Sequence, residues 1–191
     1  MMRRYLSGTL LVSVAAAAAL SASQAGPTAR AEITGDGISG TATFQEVSSR
    51  KSGADDPKLA ASAKLVEVTI AVTGLKPGAH GVHLHAIGKC EAPFTSAGGH
   101  FDPGPASQTD PDTNHPFHMG DLPNLIAGAD GQASYTAVTS RVTLSPGPLS
   151  VFDTDGTAII IHANPDQGTT GAAKSGVSGG PRAACGVLTK K

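Results

Sequence analysis

At 191 residues the chain is long enough for one domain with a sizeable core, and 14 basic against 15 acidic side chains leave a formal net charge of −1. No basic patch occurs and aromatic residues make up only 4%, so the composition gives nucleic-acid binding no footing. Tryptophan is absent while glycine and proline number 24 and 13, which suits a loop-rich β domain rather than helices.

The first segment reads as a leader. Arg3 and Arg4 form a positive n-region, Leu10 to Leu20 runs apolar and alanine-rich, and small residues follow. This is the pattern of a secretory signal peptide, too short for a membrane span. Cleavage fits after Ala25, behind Ser23-Gln24-Ala25, or after Ala31, behind Ala29-Arg30-Ala31. Residues 1–31 are therefore assigned to the signal peptide and N-terminal segment, and 32–191 to the domain. Arg3-Arg4 raises twin-arginine export, but the flanking residues fit general secretion better. Loss of that pair leaves 12 basic against 15 acidic side chains, a formal net of −3.

Ile38 to Val47 is the first strand expected, with Thr41, Thr43 and Phe44 as β-formers, and Ser48 to Pro57 is polar loop. Ala63 to Val72 alternates again through Val66, Val68, Ile70 and Val72. After the turn signal Leu75-Lys76-Pro77-Gly78, Gly81-Val82-His83-Leu84-His85 alternates apolar residues with histidines. His80, just before it, reads as a turn residue without a metal role. From Ala86 to Pro123 no periodicity survives, and a structureless run of that length is usually functional. Leu125 to Ala127, the turn Ala129-Asp130-Gly131, and Ala133 to Val138 read as a hairpin. Thr157 to His162 is an apolar, β-branched strand. Asn164 to Pro181 is a second long loop, and Gly186 to Thr189 a short last strand. Many short strands with no helical period imply an all-β sandwich or barrel.

Chemistry gathers on the histidines. On a strand, His83 and His85 share one face while Val82 and Leu84 pack behind them. Neighbouring imidazoles suit Cu²⁺ or Zn²⁺, although two surface histidines on a strand are the plainer alternative. The first long loop carries Gly98-Gly99-His100-Phe101-Asp102-Pro103 and His115-Pro116-Phe117-His118-Met119-Gly120-Asp121-Leu122. His100, His115, His118 and Asp121 make a closed four-ligand set suited to tetrahedral Zn²⁺. His83, His85 and His162 make a second, all-nitrogen set, one ligand short of the four favoured by tetragonal Cu²⁺; His100 completes both if it uses both ring nitrogens. Asp110 and Asp112 compete with His115 as oxygen ligands. Cys90 and Cys185, an even pair in an exported chain, read as a disulfide rather than as two buried thiols.

With these segments in this order, the chain from about Glu32 to the C-terminus resembles the exported, bacterial-type copper/zinc superoxide dismutases. The carrying segments are Gly81 to His85, Gly98 to Pro103, His118 to Leu122, Ile161-His162 with Asp166 four residues on, and Arg182-Ala183-Ala184-Cys185-Gly186. The resemblance implies a Greek-key β-sandwich, or flattened eight-stranded barrel, with two long functional loops. It implies dismutation of superoxide to oxygen and hydrogen peroxide by a redox-cycling copper next to a structural zinc. Copper falls to His83, His85, His100 and His162. Zinc falls to His100, His118, Asp121 and one further histidine, for which His115 is the candidate. Arg182 corresponds to the substrate-guiding arginine and His100 to the shared imidazolate that delivers a proton. Asp166 corresponds to the carboxylate linking a copper ligand to a zinc ligand, and Cys90–Cys185 to the family disulfide. One departure stands out: fourteen residues separate His100 from His115, a longer gap than in better-known members, which keeps a copper-only variant open.

These implications place the protein outside the cytoplasm, periplasmic or extracellular, with superoxide as an anionic substrate and no nucleic-acid partner. They predict no membrane span after processing, and leave homodimer formation open. Two rival readings remain. A copper-handling protein on the same fold could dispense with Arg182 and Asp166, and a metal-free interaction module would leave six clustered histidines unexplained.

Overall fold

A computed structural model of the chain describes residues 26–48, 64–104 and 109–191. The leader expected up to Ala25, the earlier of the two cleavage points, and most of the loop expected between Ser48 and Pro57 lie outside the described residues. The alternation from Ala63 to Val72 becomes β3 (Lys64–Thr73), with Val66, Val68, Ile70 and Val72 buried. Before it come β1 (Thr28–Gly35) and β2 (Ser39–Ser48), and after it β4 (Gly78–His85), β5 (Asp121–Ala127), β6 (Ala133–Thr139), β7 (Ala158–His162), β8 (Arg182–Val187) and the short β9 (Thr189–Lys190).

All ladders between the named strands of the described residues are antiparallel. The order is β5-β4-β7-β8-β1-β2-β3-β6, with β9 on β1. The end strands β5 and β6 lie against one another and nearly close an eight-stranded barrel. Consecutive strands β3 and β4 are not neighbours, and β7 and β8 return between β4 and β1, as a Greek key requires. No helix of the described residues is long and apolar enough to cross a membrane.

Four expectations need correction. β1 precedes the first strand read from the sequence; of its core-facing residues Ala29, Ala31 and Ile33, only Ile33 is strongly apolar, which gives too little contrast to be noticed. β5 begins at Asp121, so Pro123 lies inside a strand. Proline is tolerated there because β5 ends the sheet order and pairs only with β4. The hairpin is only half right: Gly128 N bonds Gln132 O at 2.9 Å, but β5 ladders with β4 and β6 with β3 rather than with each other. The last segment starts earlier, at Arg182 rather than Gly186, directly after the loop that ends at Pro181.

β4 and β7 explain where a site can form. They pair in register, Val82 with Ile161 and His83 with Ile160. Val82, Leu84, Ile159 and Ile161 enter the main core. Replacing either isoleucine by alanine would cost about 2–5 kcal/mol. Ile160 packs instead with Ala158, Ala97 and Cys185 on the other face. Both faces of these strands are thus covered, and the histidines sit on the face that the long loops close over.

Candidate metal centre

The first long loop is stitched to the end of β4. Phe101 N donates to Leu84 O, Gly120 N to Phe101 O and Leu84 N to Gly120 O, at 2.8–2.9 Å. Phe101 turns into the core, and its neighbour His100 turns out towards His83 and His85. The approach requires glycine at 120, where a Cβ would stand 2.4 Å from Leu84 O.

His83, His85, His100 and His162 bring one ring nitrogen each within 4.8 Å of one another, all buried. Their other nitrogens face acceptors. His83 Nε2 is 3.0 Å from Asp166 Oδ2, His85 Nδ1 is 3.1 Å from Gly98 O, and His162 Nδ1 is 2.9 Å from Gly180 O. His100 Nδ1 is 2.8 Å from Asp121 Oδ1. Those acceptors fix the tautomers, placing the proton outward and a lone pair inward. The inward atoms, His83 Nδ1 and the Nε2 of His85, His100 and His162, are buried with no hydrogen-bond partner. Buried acceptors left unmet are costly, and a cation among them removes the cost.

Burial drives three of these rings, His85, His100 and His162, towards neutrality. It pushes His85 well below the usual imidazole range, helped by neighbouring His100 and Arg182, and it does the same to His162 beside His83. His100 falls to about 3, because burial outweighs the bond to Asp121. Neutral imidazoles are the form that binds metal.

The second group forms around the Asp121 carboxylate. Besides His100 on Oδ1, His118 Nδ1 lies 3.1 Å from Oδ2 and the His118 amide donates to it at 3.0 Å. His115 Nδ1 is 3.2 Å from Oδ2, at ion-pair distance without hydrogen-bond alignment. The set of mutually close ligand atoms here is His83, His100, His115 and Asp121. His83 enters it because the two groups abut, while His118 stands at its edge, held by Asp121. Burial opposes ionisation of Asp121, but the bonds from His100 and His118, with His115 close beside Oδ2, win and hold it far below the carboxylate range. Burial likewise opposes charge on His115, yet Asp121 and Asp166 raise it to about 9.

Asp166 joins the groups, taking His83 on Oδ2 and, at 2.7 Å, His115 Nε2 on Oδ1. Arg182 lies half-buried opposite His162 in the β7–β8 register, donating from Nη1 to Phe94 O and from Nη2 to Gly98 O, both at 2.5 Å. Gly98 O thereby serves Arg182 and His85 together. Cys90 and Cys185 are joined as a disulfide, tying the first long loop to β8.

Several contributors escaped the sequence reading. His80 is no turn residue: it is buried in β4, with Nδ1 2.7 Å from His162 O and Nε2 2.8 Å from Lys76 O. Asn124 grips the Asp166 backbone from β5, donating to its O at 2.8 Å and accepting from its N at 2.9 Å. Arg141 donates from Nη1 to Pro116 O at 3.0 Å and to His118 O at 3.2 Å. No spacing rule could find these, since apart from the His80 contact with Lys76 O their partners lie 23 or more residues away. The rival oxygens are occupied otherwise: Asp112 receives Gly176 and Ser178, and Asp110 Oδ1 receives the amides of Asp112 and Thr113.

Residues 38–188 match the profile of the family described as copper/zinc superoxide dismutase (SODC). A relative from Brassica juncea, superoxide dismutase [Cu-Zn] 2, is 42% identical over 125 residues, which is 63% of this chain and 78% of the relative. Among solved structures, a double mutant of a SOD-like protein from Bacillus subtilis aligns with a TM-score of 0.61 at 31% identity, covering 83% of this chain and 95% of that one. The clock protein EA4 aligns with a TM-score of 0.64 at 28% identity, over 84% of this chain and 92% of that one.

Proposed function

The chain belongs to the copper/zinc superoxide dismutase family, and on that footing we propose how its residues divide the work. The activity turns two superoxide anions and two protons into oxygen and hydrogen peroxide, with copper and zinc as cofactors. Copper supplies one-electron exchange with each anion, and zinc, which has no redox chemistry, supplies fixed positive charge.

His83, His85, His100 and His162 hold the copper. The observation that carries this reading is the set of four buried, unpartnered nitrogens facing one another. His100, His115, His118 and Asp121 hold the zinc, supported by the three Nδ1 atoms gathered within 3.2 Å of one carboxylate. His100 would serve as the proton carrier, taking a proton on Nε2 only when that nitrogen is free of metal and passing it to the peroxide. Arg182, a permanent cation with a planar fork of donors, guides and orients the incoming anion. Asp166 fixes the His83 and His115 rings.

Metal content and dismutation measured on one purified sample test the assignment. His83→Ala or His162→Ala should abolish activity with the fold retained, and His115→Ala should lose zinc while keeping copper. Full activity in the first pair would overturn the copper set. Undiminished zinc in the third would overturn His115.

Export to the periplasm or beyond the cell is part of the same reading, supported by the leader pattern and the disulfide. Cleavage after Ala25 is favoured, because a cut after Ala31 would remove the start of β1 with its buried Ala29 and Ala31. The mass of the mature protein tests it. A homodimer would draw on apolar side chains exposed on the barrel, and Phe117, Ile126 and Val138 are available among the described residues. Sedimentation of the metal-loaded protein decides that point.

A further inference from the structure

We propose that Asp112 is a positioning residue that pins the two long loops together and so sets how tightly the site around Asp121 holds its metal. This rests on the zinc assignment above and adds to it a residue that is not a ligand.

Asp112 is 3% exposed, although it belongs to a surface loop. Its carboxylate receives Ser178 N at 3.1 Å and Ser178 Oγ at 2.8 Å on Oδ1, and Gly176 N at 2.8 Å on Oδ2. Its backbone oxygen receives Gly171 N at 2.9 Å. All four donors come from the second loop, while Asp112 lies in the first, three residues before His115. Bonds from neutral donors to a buried anion are the strong kind, and a carboxylate is the only side chain of this size that offers acceptors alone. Burial opposes its charge, but the bonds from Gly176 and Ser178 hold it ionised at lower pH than usual. With both oxygens engaged in this way, Asp112 braces the site rather than ligating within it.

The pin leads to the metal groups by short steps. Ser178 bridges to Asp166 in antiparallel fashion, and Gln167 N bonds Val177 O at 2.8 Å. Asp166 grips both His83 and His115. Thr170 Oγ1 donates to His115 O at 2.6 Å. Without Asp112, the two loops would sample arrangements in which His115 and Asp166 are apart, and only the fraction that remains closed would bind metal at full strength. The copper-type nitrogens depend less on the pin, because His83, His85 and His162 stand on paired strands.

The test uses Co²⁺ titrated into the zinc position of the mature, copper-loaded protein against a competing chelator, with the visible bands of Co²⁺ reporting the ligand set. Asp112→Ala should weaken Co²⁺ binding by about 10–100-fold, the range for residues that orient ligands. Its band shape at saturation should match the parent, and its copper affinity should change far less. Ser178→Ala, which removes one donor and keeps the rest, should show a smaller loss in the same direction and serves if the first variant folds poorly. Co²⁺ affinity unchanged in both variants would overturn the proposal. So would an altered band shape, which would make Asp112 a ligand, or equal losses for both metals, which would make it a general brace. Failure of the parent itself to take up Co²⁺ or Zn²⁺ would remove the zinc assignment, and this proposal with it.

Discussion

Asp166 Oδ1 stands 2.7 Å from His115 Nε2 across 51 residues of chain, and the same carboxylate holds His83 Nε2 at 3.0 Å. One side chain thus sets the rotation of a ring in each metal group. Burial works against its charge, but the bonds from His115 and His83 prevail and keep it ionised below the usual range. Asp166→Ala is expected to lower zinc affinity by about 10–100-fold, with a smaller effect on copper because three other nitrogens remain in place. Zinc retained after dialysis against a chelator measures it. Retention equal to the parent would show that Asp166 does not orient His115.

Arg182 answers to a different measurement. Its two bonds to Phe94 O and Gly98 O hold the guanidinium at the end of β8, beside a disulfide that fixes the same loop. Arg182→Ala should lower the dismutation rate and flatten its decline with salt, since steered association weakens as ionic strength rises. Both metals should stay bound. Arg182→Lys should restore charge but not the paired bonds, and so recover only part of the rate. A parent-like rate at low salt in Arg182→Ala would exclude the guiding role.

Much of this architecture was legible because local pattern and burial agreed. Val66 to Val72 and Ile159 to Ile161 are apolar where the core needs them, and His83 and His85 alternate with Val82 and Leu84 in the strand that carries them. What stayed hidden depends on chain neighbours far apart in sequence. β1 contributes two alanines and a single isoleucine, Ile33, to the core and so lacks contrast. Pro123 signals a break, yet an edge strand accepts it. Asp112 carries the same oxygens whether it ligates or braces, and only its contacts with Gly176 and Ser178 separate the two. His80 looked like punctuation before Gly81, and its bond to His162 O spans 82 residues.

Arg141 braces the segment from His115 to His118 from the far end of β6, through two carbonyl oxygens. The side chain is exposed, so each bond contributes modestly, about 0.5–1.5 kcal/mol. Arg141→Ala should therefore speed zinc release by severalfold without changing copper content or folding. Release into a chromogenic chelator gives the rate. An unchanged rate would mean that Pro116 and the Thr170 bond hold the turn unaided.

Glu46 gives a stability prediction separate from the metals. Its buried carboxylate receives Leu144 N at 2.9 Å and Ser145 N at 2.8 Å on Oε2, and Ser145 Oγ at 2.5 Å on Oε1. Lys64 Nζ stands 3.7 Å away. Burial alone would raise its pKa, but the Ser145 and Leu144 bonds with the Lys64 charge outweigh it and lower it. A carboxyl whose folded pKa lies below its unfolded value stabilises the fold fully above the unfolded pKa, about 4.3, and loses that contribution as pH falls through the folded value. Glu46→Gln keeps an acceptor but removes the charge and turns an amide donor towards groups that also donate. It should cost about 1–3 kcal/mol at pH 7, where the parent carboxylate is ionised. Below the folded pKa the parent is itself neutral, so the difference should shrink. Denaturant unfolding of the metal-free protein at both pH values measures the two gaps. A gap of equal size at low and neutral pH would show that Glu46 acts through shape rather than charge.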